Sequence, residues 1–275
     1  NVDIVTPMSA TTVLLLHGLG GNAAVWDGVR GALGDVPVLA PDLPGHADGP
    51  RLARYDIGLM AASLAAQLDP TLRYAVFGHS LGGAVGLALA SGWFGVQVSR
   101  VVGLGIKVAW TDAEKAGAAA VGGKPVAWFD SRPAAVDRLV KVAGLVGLVD
   151  GDAEVVRRGV EVGLDGRWRT TVEPGTVAAG APDMAGLLAA SRAEVVLARG
   201  ELDPMVSTAD LEAVLAGASG AASGGVSPAG LGGPGRSGAR IESAPVVLPG
   251  LGHNAHVEDP LAVAALVRRE LLQAG

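Results

Sequence analysis

With 275 residues, the chain is long enough to bury a sizeable core, and one domain with an insertion is the natural expectation. It has no cysteine, which excludes disulfides, thiolate catalysis and cysteine-ligated metals. Its net charge of -6 argues against a nucleic-acid partner, and no apolar run reaches the roughly 18 residues that cross a bilayer. Because residues 1–7 lack a basic patch followed by an apolar stretch, we expect no secretory signal and a cytoplasmic monomer or homodimer.

Six short runs, rich in valine, leucine and other apolar residues, predict buried parallel strands. They cover residues 11–17, 36–40, 74–78, 101–106, 194–199 and 244–248. Helical patterns lie between several of these runs. Asp56 precedes an alanine-rich helix from Ile57 to about residue 68, and Asp259 and Pro260 open a final helix to about residue 273. The alternation predicts an α/β fold with a mostly parallel sheet flanked by helices.

Two segments interrupt this alternation. Residues 110–191 contain helical patterns but no convincing strand, together with Trp110, Trp128 and Trp168. We therefore expect a helical cap there, inserted between core segments 1–109 and 192–275. Residues 217–240 are dominated by glycine, alanine and serine, a composition that buries little apolar area and predicts a flexible surface insertion within the core.

A serine lies at the junction between the third predicted strand and the helix after it. The sequence GHSLG (residues 78–82) follows the strand and precedes an apolar run of small residues. Such a G-x-S-x-G pattern predicts a sharp strand-to-helix turn, the nucleophile elbow, because flanking glycines tolerate a strained backbone beside the serine. A serine hydroxyl is a weak nucleophile on its own, so Ser80 needs a base and an acid as partners.

Candidate partners follow the later strands. His253 lies in a glycine-rich loop after the last strand, from which an imidazole can approach a serine, and His256 is the alternative base. The acid is expected between the serine and the base along the chain, at a strand end. Asp203 meets this requirement after the fifth strand, and Asp112, after the fourth, is the second candidate.

A dinucleotide-binding oxidoreductase is an alternative from another class. Residues 18–23 read GLGGNA, which fits G-x-G-x-x-A between a strand and a helix, and Asp42 lies near the position of a ribose-binding acid. This alternative explains neither the serine turn nor the later motifs.

His253, His256 and Glu258 lack the H-E-x-x-H arrangement of a zinc helix, so we expect neither a metal nor a cofactor.

Five motifs together resemble the α/β-hydrolase superfamily, in its serine-nucleophile type with a helical cap. They are HGLGGN (17–22), PDLPGH (41–46), GHSLGG (78–83), RGELDP (199–204) and GLGHNAHVEDP (250–260), in the family's order. The resemblance covers most of residues 11–110 and 192–272. It implies that Ser80 is the nucleophile, His253 the base and Asp203 the acid that orients the imidazole. It also implies an oxyanion hole formed by the backbone N–H groups of Leu19 and Leu81.

The expected reaction is hydrolysis of an ester or thioester of a small-molecule acyl substrate through an acyl-enzyme. A carbon–carbon bond hydrolase, a lactonase or a cofactor-free perhydrolase would use the same triad, and a catalytically inert binding protein on this fold is a further alternative. Possible pocket residues are His17, His79, Trp110 and Trp128. Of these, we expect His17 to brace the oxyanion loop and His79 to point away from Ser80. We expect no membrane partner.

Overall fold

A computed structural model describes residues 11–179, 181–223 and 241–273. The strands are β1 (Thr12–Leu16), β2 (Val38–Leu39), β3 (Arg73–His79), β4 (Gln97–Leu104), β5 (Val160–Val162), β6 (Trp168–Thr170), β7 (Glu194–Gly200) and β8 (Val246–Leu248). Six of them form one sheet in the order β2-β1-β3-β4-β7-β8, and every neighbouring pair in it is parallel. The predicted mostly parallel α/β sheet is confirmed.

Helices cover both faces of this sheet. They are α1 (Asp27–Leu33), α2 (Ile57–Ala65), α3 (Leu81–Ala90), α4 (Asp112–Gly122), α5 (Arg132–Ala143), α6 (Glu154–Gly159), α7 (Met184–Ala190), α8 (Thr208–Ser223), α9 (Ala255–Glu258) and α10 (Pro260–Val267). The described residues also form short 3-10 helices at Ala23–Trp26 and Pro174–Ala179 and a π-helical turn at Arg268–Leu272.

The alternation of side chains along β1 divides the apolar core into two layers. Leu14 and Leu16 point into the layer that contains α2, α3 and α7, whereas Val13 and Leu15 point into the layer that contains α1 and α10. All four side chains are fully buried, as expected for a central strand covered on both faces. Trp26 is also fully buried, in the layer that contains α1 and α10.

Two predicted helix starts have the expected capping bonds. The side chain of Asp56 accepts a 2.8 Å hydrogen bond from the Leu59 N–H at the start of α2. At the start of α10, Asp259 accepts a 2.9 Å bond from the Ala262 N–H, and Pro260 occupies the first helical position. Each cap satisfies an N–H group that has no acceptor within its own helix.

The segment between β4 and β7 contains α4 to α7 and also two strands. The expectation that residues 110–191 hold no strand is therefore wrong: β5 and β6 pair antiparallel. Asn22 ties this segment to the first turn after β1, because its side-chain amide donates a 2.8 Å bond to the Val155 carbonyl. Arg158 adds an ion pair to the buried carboxylate of Asp42. The segment between β4 and β7 is thus held against the sheet by two contacts.

The expected flexible insertion at residues 217–240 is only partly described. Residues 217–223 form the end of α8. Residues 224–240 lie outside the described ranges. In the part of the chain that the structure describes, no helix has the length and apolar character needed to cross a membrane.

Candidate active site

Ser80 occupies the turn between β3 and α3 in a strained backbone conformation. Its φ of 49° and ψ of -117° place it in the left-handed half of conformational space, which side chains other than glycine rarely adopt. Such a conformation costs on the order of 1–3 kcal/mol and persists only where the surroundings enforce it. Here the Ser80 N–H donates a 2.8 Å bond to the Leu104 carbonyl at the end of β4, which holds the turn in place.

Glycines on both sides of Ser80 allow the turn because the backbone is crowded there. A Cβ atom at Gly78 would lie 2.5 Å from the Cα of Gly83. A Cβ atom at Gly82 would collide with the carbonyl oxygen of Leu16 in β1. The G-x-S-x-G pattern is therefore required by the close approach of α3 to the sheet, and it places the serine at the carboxyl end of β3.

His253 and Asp203 lie together at the same edge of the sheet. The His253 Nδ1 donates to the Asp203 Oδ2 at 2.9 Å, since a carboxylate can only accept. The Asp203 side chain is fully buried, and its second oxygen accepts a 2.8 Å bond from the Met205 N–H. A proton on Nδ1 leaves the lone pair of Nε2 free to accept another proton, which is the tautomer that a general base needs.

The alternative partners lie elsewhere. Asp112 begins α4 with a fully exposed side chain that pairs with Lys115. His256 is buried, with its ring centroid 4.5 Å from that of Trp26. Glu258 accepts a 2.7 Å bond from the Gly252 N–H. Within the described ranges, no group of three or more metal-ligating side chains is arranged to hold a metal ion.

A cavity of about 370 Å³ opens beside Ser80. Six of the residues singled out from the sequence line it: Leu19, His79, Ser80, Leu81, Trp110 and His253. Most of the other lining side chains are apolar, and they come from both the sheet core and the segment between β4 and β7. The charged ones are Lys107 and Lys141, which no sequence motif had indicated. A site of this kind accepts an apolar group next to a polar reacting centre.

Two of the possible pocket residues do not line this cavity. His17 is fully buried; its Nδ1 donates to the Gly18 carbonyl at 2.8 Å, and its Nε2 accepts from the Leu43 N–H at 2.9 Å. Burial lowers the pKa of His17 to about 4, so the ring is neutral and braces the loop. Trp128 lies away from the cavity, with the guanidinium groups of Arg167 and Arg169 within 6 Å of its ring.

Two backbone segments face the cavity near Ser80. Leu81 is the first residue of α3, where N–H groups have no acceptor within the helix and the helix dipole favours negative charge. Leu19 lies in a turn closed by a 3.1 Å bond from the Gly21 N–H to the Gly18 carbonyl. The φ of +80° at Gly20 suits the third position of such a turn. Both leucines line the cavity, as the expected oxyanion hole requires.

The loop that carries His253 is fixed by contacts that the sequence did not reveal. The His79 ring donates from Nε2 to the His253 carbonyl at 3.0 Å, and burial holds the pKa of His79 well below 6.5. The side-chain amide of Asn254 donates to the Gly144 carbonyl at 2.9 Å, just after α5. The only sequence signal for either role is adjacency to Ser80 and His253. Both side chains fix the position of the imidazole.

The dinucleotide alternative finds no support at the first turn. The Asp42 carboxylate, expected to bind a ribose in that interpretation, accepts a 2.7 Å bond from the Ala23 N–H and pairs with Arg158. Its oxygens therefore bind the protein itself and stabilise the loop after β1.

A family model of the alpha/beta hydrolase family matches residues 13–266, and the chain belongs to this family. The resemblance inferred from the five motifs is thereby confirmed. Among solved structures, an esterase from Mycobacterium tuberculosis is similar over 94% of this chain and 83% of its own, with 25% identity and a TM-score of 0.68.

Curated relatives match over a shorter stretch. A pimeloyl-[acyl-carrier protein] methyl ester esterase of Neisseria meningitidis serogroup B is 41% identical over 86 residues, which are 31% of this chain and 33% of the relative. The lipase LipV of Mycobacterium tuberculosis is 37% identical over 90 residues, again 31% of this chain and 33% of the relative. The chain thus matches about a third of the length of these relatives.

Proposed function

We propose that this protein is a serine esterase that hydrolyses an ester or thioester of a small-molecule acyl substrate. One observation supports the proposal above the others: His253, whose ring is hydrogen-bonded to Asp203, lines the same cavity as Ser80 in its strained turn. A nucleophile, a base in the correct tautomer and a buried acid that orients it form the arrangement that acyl transfer needs.

In the proposed reaction, the Ser80 Oγ attacks the carbonyl carbon while His253 Nε2 takes the hydroxyl proton. The Asp203 carboxylate stabilises the imidazolium that forms. The N–H groups of Leu19 and Leu81 bind the oxyanion, and each such donor contributes roughly 3–4 kcal/mol to the transition state. His253 then protonates the departing alcohol or thiol. A water molecule, deprotonated by His253, releases the acid and restores Ser80.

The similar proteins favour an ester over the other bonds that a serine triad can cleave. The Neisseria relative is named as a methyl ester esterase, LipV as a lipase, and the similar solved structure as an esterase. The segment between β4 and β7 supplies Trp110, Val142, Val177 and Met184 to the cavity wall. We therefore propose that residues 110–191 act as the cap that selects the acyl group.

Replacement of Ser80 tests the proposal. Ser80→Ala should lower kcat on a p-nitrophenyl ester at least about 10³-fold, because the covalent step is lost. The control is Ser63→Ala on α2, outside the cavity lining, which should leave kcat unchanged. A fluorophosphonate should label the parent protein and the control but not the Ser80 variant. Activity retained in Ser80→Ala would contradict the assignment, and a protein that resists the label would be an inert binder.

A further inference from the structure

A second, larger cavity adjoins the one beside Ser80. Its volume is about 690 Å³, against about 370 Å³ for the first. Ile57 and Pro182 line both cavities, so the two spaces lie against the same two side chains. Ile57 is buried in the first turn of α2, and Pro182 lies just before α7. The second cavity is therefore the neighbouring space for a group that is bound at Ser80 and extends past Ile57.

The walls of the second cavity are mostly apolar. They include side chains from α3 and the turn after it, from α4 and from α7, namely Ala88, Trp93, Phe94, Ala119, Leu187 and Ala190. Trp93 is 72% exposed, which is unusual for so large a ring and leaves its face open to a ligand.

The charged groups around the second cavity already have partners. Asp56 accepts from the Leu59 N–H at 2.8 Å, and Asp183 accepts from the Gly186 N–H at 2.9 Å. Each carboxylate caps a helix. Lys115 pairs with Asp112 at 3.5 Å on the exposed side of α4. The cavity therefore offers a ligand mainly apolar contact and no concentrated charge, which suits a hydrocarbon better than a polar or ionic group.

We propose that the second cavity binds the distal alkyl part of a long, straight-chain acyl group whose carbonyl lies at Ser80. This inference rests on the proposed esterase function and adds a substrate class to it. The first cavity is near the lower end of the usual size range for ligand sites, about 300–1,000 Å³, so a short acyl group fills it. Each further methylene that passes Ile57 and is buried adds about fourfold to binding.

Ala119 allows the second cavity to be blocked without touching the first. It lies on α4, a helix with no buried residue, and it lines only the second cavity. Ala119→Trp should therefore fill the space while the fold is kept. Ala120→Trp is the matched control, because Ala120 is the next residue of the same helix, is also exposed and lines neither cavity.

The test compares p-nitrophenyl butyrate with p-nitrophenyl laurate. Ala119→Trp should lower kcat/KM for laurate at least about tenfold and leave kcat/KM for butyrate within about twofold, whereas Ala120→Trp should leave both within about twofold. Equal losses on both esters, or no loss on laurate, would overturn the inference while leaving the esterase proposal intact.

A binding measurement separates this inference from the proposed function. A fluorescent C12 fatty acid, titrated into the Ser80→Ala protein, should bind at least about tenfold more weakly when Ala119→Trp is added. This result needs no turnover, so it decides the question even if no ester is hydrolysed. An unchanged dissociation constant would refute the alkyl site. A concentration-dependent dimer, detected by light scattering and dissociated by Ala119→Trp, would also refute the alkyl site. In that case the cavity would hold a second copy of the chain.

Discussion

Acid should destabilise this protein between pH 7 and pH 5 through its buried histidines. Burial lowers the pKa of His17 to about 4 and those of His46 and His256 to about 3. It also lowers the pKa of His79 well below 6.5. At pH 5 the rings of His17, His46 and His256 are neutral in the folded protein. In the unfolded chain they regain the ordinary pKa of about 6.5 and take up protons.

The direction of this pH effect follows from the number of protons that the folded and unfolded states bind. Because the unfolded chain binds more protons than the folded protein below pH 6.5, the free energy of unfolding falls as the pH falls from about 6.5 towards the folded pKa values. From pH 7 to pH 5, each histidine with a folded pKa near 3 or 4 removes about 2 kcal/mol. The three with such values therefore remove about 6 kcal/mol, which is comparable to the whole stability of a typical domain, about 5–15 kcal/mol.

Urea unfolding at pH 7, 6 and 5, followed by tryptophan fluorescence, measures this loss. His256→Phe is the informative variant, since a phenyl ring can keep the contact with Trp26 and the buried His256 Nδ1 has no hydrogen-bond partner to lose. The variant should lose about 2 kcal/mol less than the parent between pH 7 and pH 5. A loss below about 1 kcal/mol in the parent, or the same loss in both proteins, would refute the argument.

Two further substitutions test the site. Asp203→Asn should lower kcat about 10⁴-fold on a p-nitrophenyl ester, whereas Asp112→Asn at the exposed start of α4 should not change it; equal effects would contradict the assignment of the acid. Gly105→Ala should destabilise the fold by about 1 kcal/mol or more, because the φ of Gly105 is +63°. The added methyl group would lie 3.3 Å from the His253 ring, so kcat should fall as well. If kcat and the thermal unfolding temperature were both unchanged, the close contact between residue 105 and His253 would be contradicted.

The six strands of the sheet are predictable because buried parallel strands are continuous apolar runs. The hairpin of β5 and β6 is not, because its strands have three residues each and each contains a charged residue, Glu161 or Arg169. The end of α8 could have been found. Leu211, Leu215 and Ala218 are buried at spacings of four and three, a helical stripe that the glycine and serine content of residues 217–240 obscured.

The order of motifs along the chain is enough to identify candidates for the nucleophile, the base and the acid, namely Ser80, His253 and Asp203. This is because the carboxyl ends of the strands in a parallel sheet meet at one edge. It does not reveal contacts between distant segments whose residue types are not distinctive. The bond from Asn254 to Gly144 spans 110 residues, and that from His79 to the His253 carbonyl spans 174. The first contact depends on how the segment between β4 and β7 packs, and the second on how the loop after β8 lies against the end of β3; no local pattern encodes either.

The neutral state of His79 has a consequence for the proposed chemistry. Its ring centroid lies 4.7 Å from that of His253, so a charge on His79 would oppose the imidazolium that His253 becomes when it takes the Ser80 proton. Burial keeps the pKa of His79 far below neutrality and removes that charge. The same neutral ring still donates one hydrogen bond, which it uses to hold the His253 carbonyl. A buried, neutral histidine thus fixes the base in position without placing a second positive charge beside it, as a lysine or arginine at this place would.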